Sequence, residues 1–355
     1  MLAFDSVSTV ARSVFDELQV RVARRILRLP DPVVTRLRGR PLVVDGVSLD
    51  SRQQLLLSLQ ERLGRKSLTE LPLDEARMEY ERVPRVLDDR IDIVAVNDFG
   101  IAGDDGEISV RLYRGADVDQ LPVLVFFHGG GGVIGSLDSH DGLCRRLAHG
   151  AKCLVMAVDY RLAPEHPFPA GLNDARKALV WASDHIGRQG GDPGRVAIGG
   201  DSMGANFAAV LANDAAHGRL PQPCFSLLLY PMTDQSGTTR SRRLFDEGFF
   251  LTGDMIRWFD AHYRGAEPVS NPEISPLLAH DLEGVCPTFV ATAGFDPLRD
   301  EGEAYLEHLR ACGVTVQGRR YDGMLHGFVQ MSGLAGPRAA LADISSRLRR
   351  VFKVR

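Results

Sequence analysis

The run Ile198-Gly199-Gly200-Asp201-Ser202-Met203-Gly204 sets a serine between two glycines in the pattern G-x-S-x-G. An apolar, β-like stretch (195–199) precedes it, and a helix-like one (206–216) follows. Strand, sharp turn and helix in that order make a nucleophile elbow. The turn strains the serine backbone, and side chains at the flanking glycines would clash with strand and helix. The serine hydroxyl is expected at the top of a sheet, at a helix N-terminus whose partial positive charge favours a developing oxyanion. The pentapeptide alone also fits a glycine-rich turn with a helix cap, so its surroundings must decide.

Upstream, His128-Gly129-Gly130-Gly131-Gly132 closes the apolar strand Val123–Phe127. Four glycines leave backbone N–H groups uncovered, as an oxyanion hole requires, together with the N–H of Met203 after the serine. A glycine hinge or a phosphate loop would look similar. The run has no G-K-S/T ending, however, and does not fit G-x-G-x-x-G.

Serine is a poor nucleophile without a base, and the base needs an orienting carboxylate. Triads built on such an elbow run Ser, Asp or Glu, His along the chain. The histidines after Ser202 are His217, His262, His280, His308 and His326. His326 lies in a turn-rich loop after the last strand candidate, where the carboxyl edge of a sheet is expected. His308 falls inside a helix, and His262 and His280 fall in or beside a long insertion. Asp296 follows the strand Thr288–Ala293 and is taken as the acid. Asp300 reads as a helix N-terminal residue, and Asp322 as a turn residue.

From residue 90 onward, apolar strands alternate with helices. Strands are expected at 91–96, 108–113, 123–127, 154–158, 196–198, 225–230, 288–293 and 314–319. Helices are expected at 143–148, 171–185, 206–216, 302–311 and 337–352. This pattern predicts a mostly parallel sheet covered on both faces. Residues 1–88 read as helical, without strand alternation, with helices at 51–63 and 73–83. Residues 234–276 are too long for an ordinary connection and carry a helical pattern at 252–263, as a lid would.

The 355 residues are 44% hydrophobic and 25% charged, with a net charge of −4. That is an ordinary globular composition, and nothing in it calls for nucleic acid. Five scattered cysteines without a C-x-x-C pair suggest free thiols in a reducing compartment, not a disulfide framework or a metal site. No secretory signal and no apolar stretch of about 18 residues is seen, so a cytoplasmic protein without a membrane span is expected. Arg12, Arg21, Arg24, Arg25 and Arg28 accompany apolar residues at helical spacing. A helix packed on its own protein is the reading adopted, over one resting on a membrane.

His128-Gly129-Gly130-Gly131, Asp159 to Ala170 (DYRLAPEHPFPA), Gly200-Asp201-Ser202-Met203-Gly204, Asp296-Pro297-Leu298-Arg299-Asp300 and His326-Gly327-Phe328 together resemble the hormone-sensitive lipase family of α/β-hydrolases, the bacterial family IV esterases. The resemblance runs from about residue 90 to the C-terminus. It implies an α/β-hydrolase fold with a helical cap formed by residues 1–88 and an insertion at 234–276. The catalytic domain would then comprise 89–233 and 277–355. It implies Ser202 as nucleophile, His326 as base, Asp296 as its orienter, and Gly130, Gly131 and Met203 as oxyanion donors. It further implies hydrolysis of short- to medium-chain acyl esters through an acyl-serine, with no cofactor and no metal. The partner is a small-molecule ester, and a homo-oligomer is compatible with it. An amidase or deacetylase, or a non-catalytic receptor on the same scaffold, are the alternatives. Arg161 and Glu165 read as buried ion-pair residues. The family usually has an aromatic residue where Gly132 stands and alanine where Met203 stands. Gly132 is therefore expected to open space, the Met203 side chain to crowd the pocket, and Gly132 and Asp201 to line it.

Overall fold

The structure, a computed structural model, describes residues 21–353 except residue 65. Arg12 and its apolar neighbours lie outside the described residues. Residues 21–27 are helical, and Leu27 is buried with Val34, Leu55, Leu56 and Leu87. Arg24 donates to the Asp88 carbonyl, and Arg28 pairs with Asp89. This part of the basic helix thus packs on its own protein.

The N-terminal region continues through α1 (Asp31–Leu37), α2 (Ser51–Arg62) and α3 (Leu73–Leu87). Asp50 caps α2 by accepting from the N–H groups of Arg52 and Gln53. The expectation of no strand here is corrected by a ribbon of β1 (Val43–Val44) and β2 (Val47–Ser48). Asp45 and Gly46 form its turn with φ of 52° and 77°. Asp-Gly suits such a two-residue hairpin, while two-residue strands are too short to alternate.

Eight strands form the central sheet: β3 (Ala95–Ala102), β4 (Glu107–Arg114), β5 (Leu121–Phe127), β6 (Leu154–Asp159), β7 (Gly191–Asp201), β8 (Ser226–Leu229), β9 (Thr288–Phe295) and β10 (Val316–Leu325). Their order is β10-β9-β8-β7-β5-β6-β4-β3, parallel except around β3 and β4. The first strand lies later than 91–96. It pairs from Ala95↔Arg114 to Ala102↔Glu107, so the turn Gly103–Gly106 and not the apolar run sets its register.

Alternation along the buried strands feeds two cores. Val123, Val125 and Phe127 join one cluster, with α5 (Ala170–His185), α6 (Met203–Ala216) and α9 (Arg299–Ala311). Leu124 and Phe126 join the other, with α4 (Asp141–Ala151) and α10 (Ala335–Val351). A strand buried on both faces has no polar side to show, which explains the continuous apolar runs. Residues 234–276 hold α7 (Arg240–Leu244) and α8 (Gly253–Tyr263).

Arg161 and Glu165 do not pair with each other. Arg161 Nη2 is 2.8 Å from Asp174 Oδ1, and its Nη1 meets Asp105. Glu165 is half exposed and held by Arg77 of α3 at 2.7 Å. The Arg77 Nε also donates to the Val133 carbonyl at 2.9 Å, tying α3 to the loop after β5.

Candidate active site

β7 ends at Asp201, α6 begins at Met203, and Ser202 turns between them with φ 56° and ψ −115°. An L-residue is strained there, and the surroundings must hold it. A Cβ at Gly200 would lie 2.3 Å from the Gly204 carbonyl carbon, and one at Gly204 would lie 1.9 Å from the Phe127 oxygen. Both glycines are required because backbone passes where a side chain would stand.

Asp296 and His326 leave the carboxyl ends of the parallel neighbours β9 and β10. That adjacency unites two residues 30 positions apart, and Ser202, 124 positions before His326, meets them from the end of β7. Asp296 is fully buried, and its Oδ1 accepts from the Leu298 N–H at 2.8 Å. Its Oδ2 lies 2.8 Å from His326 Nδ1, and His326 Nε2 lies 3.1 Å from Ser202 Oγ. A carboxylate at Nδ1 holds the ring proton there and leaves Nε2 free to accept from the serine hydroxyl. Of the other histidines after Ser202, His217, His262 and His308 each face a backbone carbonyl through Nδ1.

The glycine loop approaches from β5. The Gly129 N–H donates to Asp201 Oδ1 at 2.9 Å. The Gly130 carbonyl accepts from Val133 and Ile134, and the Gly132 carbonyl from Ala163. The N–H groups of Gly130 and Gly131 have no protein acceptor among the described residues, and both glycines line the cleft beside Ser202. The Met203 N–H belongs to the first turn of α6, where helical amides lack an internal partner.

Two pocket expectations are corrected. Met203 carries a fully buried side chain in the core and does not line the cleft. Gly132 opens no space, since a Cβ there would stand 2.5 Å from the Tyr263 ring. Asp201 lines the cleft as expected, and its carboxylate is engaged by the Gly129 amide, by His140 Nε2 at 3.2 Å and by the Tyr230 hydroxyl at 3.4 Å. Burial pushes the Asp201 carboxyl up, yet His140 and the Gly129 amide outweigh it and hold the group below its ordinary value.

Behind Asp201 lies a chain of buried groups that no motif announced. His140 meets Gln330, four residues after His326, at 2.5 Å, and Gln330 meets the Tyr80 hydroxyl of α3 at 3.1 Å. His128 stacks on Tyr160 at 4.2 Å and faces the Gly129 carbonyl through Nδ1. Burial, then the neighbouring His140, push the His128 imidazole down to about 3. The cleft over Ser202 measures about 40 Å³ and is walled by Tyr80, Ile134, Met232, Phe250, Met255 and Phe259. No group of three or more metal-ligating side chains gathers among the described residues, and no helix there is long and apolar enough to cross a membrane.

A family model described as the alpha/beta hydrolase fold matches residues 124–330. The carboxylic ester hydrolase LipN of Mycobacterium tuberculosis is 44% identical over 310 residues, which cover 85% of this chain and 82% of that protein. The ethyl acetate hydrolase of Pseudomonas putida is 37% identical over 272 residues, covering 74% of this chain and 85% of that protein. The crystal structure of a thermostable esterase from Pseudomonas putida covers 88% of this chain and 100% of its own, at 35% identity and a TM-score of 0.83.

Proposed function

This chain belongs to the α/β-hydrolase family, among its bacterial esterases of hormone-sensitive-lipase type, and on that premise we propose that Ser202, His326 and Asp296 form its catalytic triad. The protein is a carboxylic ester hydrolase. The observation that carries the residue assignment is the unbroken sequence of contacts from Asp296 Oδ2 through His326 to Ser202 Oγ, at 2.8 and 3.1 Å.

Ser202 Oγ attacks the ester carbonyl carbon as His326 Nε2 takes the hydroxyl proton. The carbonyl oxygen becomes an oxyanion, held by the N–H groups of Gly130, Gly131 and Met203 at the positive end of α6. Collapse breaks the bond to the leaving oxygen, which takes the proton from His326 and departs as the alcohol. Water, deprotonated by the same imidazole, then attacks the acyl-serine; collapse breaks the bond to Ser202 Oγ, which takes the proton back from His326 as the acid leaves. Asp296 holds the tautomer and stabilises the imidazolium. Residues 1–88 and 234–276 act as a cap over a catalytic domain of 89–233 and 277–355. Tyr80 from one part, and Phe250, Met255 and Phe259 from the other, support this by walling the cleft. A cytoplasmic location belongs to the same reading, supported by five unpaired cysteines.

The Ser202→Ala variant should lose at least roughly 10⁴-fold in kcat toward p-nitrophenyl acetate while unfolding at the wild-type temperature. Wild-type turnover by that variant would remove Ser202 from the mechanism. An amidase uses the same tetrahedral chemistry, so matched ester and amide substrates distinguish it.

A further inference from the structure

The spaces around Ser202 differ greatly in size. On the Gly131 side the way is shut: a Cβ there would stand 2.3 Å from Phe259 Cγ, and the gap between Met232, Ile256, Phe259 and Tyr263 measures about 20 Å³. Above Ser202 there are about 40 Å³. A cavity of about 820 Å³ lies between α2, α3 and residues 248–255, with Leu42, Leu57, Leu68, Val83 and Phe249 in its walls. Tyr80, Phe250 and Met255 line both this cavity and the cleft, so they form the portal between them.

Proton transfer decides which half of the ester faces which space. The leaving oxygen must come within reach of His326 Nε2, so the alcohol departs on the His326–Gly327 flank. Phe250 stands over that flank, 3.5 Å from where a Cβ of Gly327 would be. Tyr80 is bonded to Gln330 of the same segment. Two of the three portal residues therefore stand on the histidine side. The acyl group, on the other side of the tetrahedral carbon, points towards Gly130, Gly131, Met232 and Phe259, where the space is small.

We infer that this enzyme favours esters of bulky, largely apolar alcohols, with the alcohol housed in the large cavity and the short acyl group that the family resemblance already implies confined beside Gly131. The inference rests on Ser202 and His326 acting as proposed above. A cavity of this size matches those that enclose drug-sized ligands. The reaction consumes water and releases a short carboxylic acid and the bulky alcohol.

Two substrate series test it on the full chain. One lengthens the acyl group of p-nitrophenyl esters from acetyl through butanoyl to octanoyl. The other keeps acetyl and enlarges a primary alcohol from ethanol to cyclohexylmethanol to adamantylmethanol, so that leaving-group acidity stays matched. From butanoyl to octanoyl kcat/KM should fall about 100-fold, a steric rejection of the size pockets achieve, and from ethyl to adamantylmethyl acetate it should rise at least about tenfold. The Leu57→Trp variant, which fills the cavity, should lower the adamantylmethyl-to-ethyl ratio at least about fivefold; Leu42→Phe provides the same filling should the first variant not fold. Octanoyl turnover equal to butanoyl, or adamantylmethyl acetate poorer than ethyl acetate, overturns the inference and leaves ester hydrolysis standing. Failure of every ester in both series would instead overturn ester hydrolysis itself, a result distinct from the loss of the alcohol preference.

Discussion

Replacing Asp201 by Asn keeps the side chain's shape and removes its charge. In the native protein the buried carboxylate accepts from the Gly129 N–H at 2.9 Å and faces His140 Nε2 at 3.2 Å. Hydrogen bonds to charged groups contribute about 1.5–3 kcal/mol each, roughly twice a neutral bond. Two such bonds weakened by half lose about 2 kcal/mol in all. The loss falls on the residue that anchors the glycine loop, one and two positions before the amides assigned to the oxyanion. Displacement of a reacting group by about 1 Å can cost about 100-fold in rate. The expected result is a kcat for p-nitrophenyl acetate lower by about 10- to 100-fold, a KM changed less than about threefold, and a urea midpoint lowered in line with about 2 kcal/mol. Steady-state kinetics and equilibrium unfolding on the same preparation measure both. A kcat within twofold of wild type alongside the stability loss would mean that Asp201 supports the fold alone and does not position the loop.

Gly132 has φ of +72° with the Tyr263 ring against it. Gly132→Ala should cost about 2–4 kcal/mol, combining left-handed backbone strain with overpacking, and adding Tyr263→Leu should restore part of it in a double-mutant cycle; an unfolding midpoint unchanged in the single variant would refute the account. His128, pushed down to about 3 by burial and His140, stays neutral in the fold where an unfolded histidine takes up a proton. Its folded value is depressed, so stability present above about pH 6.5 is lost as pH falls towards 3, by at most about 1.4 kcal/mol per pH step. The stability difference between wild type and His128→Asn should therefore shrink from pH 7.5 to 4.5, and parallel stability–pH curves for the two proteins would contradict it.

Where backbone geometry is local, the amino-acid order alone was decisive. G-x-S-x-G fits a tight strand–helix turn because a Cβ at Gly200 or Gly204 would stand about 2 Å from backbone, and the two-sided apolar strands require a sheet covered on both faces. Triad order along the chain, together with strand ends, pointed to Asp296 and His326, since parallel neighbours bring their carboxyl ends to one edge. The pocket was different. Gly132 stands beside Tyr263, 131 positions later, and Asp201 is braced through His140 and Gln330 by Tyr80. Those contacts form between side chains distant along the chain, whose spacing carries no period and no turn signal. Only the docking of α3 and residues 234–276 on the sheet edge brought them together. The same docking left one side of Ser202 narrow and the other wide, because apolar volume is set by which surfaces meet and not by any one of them.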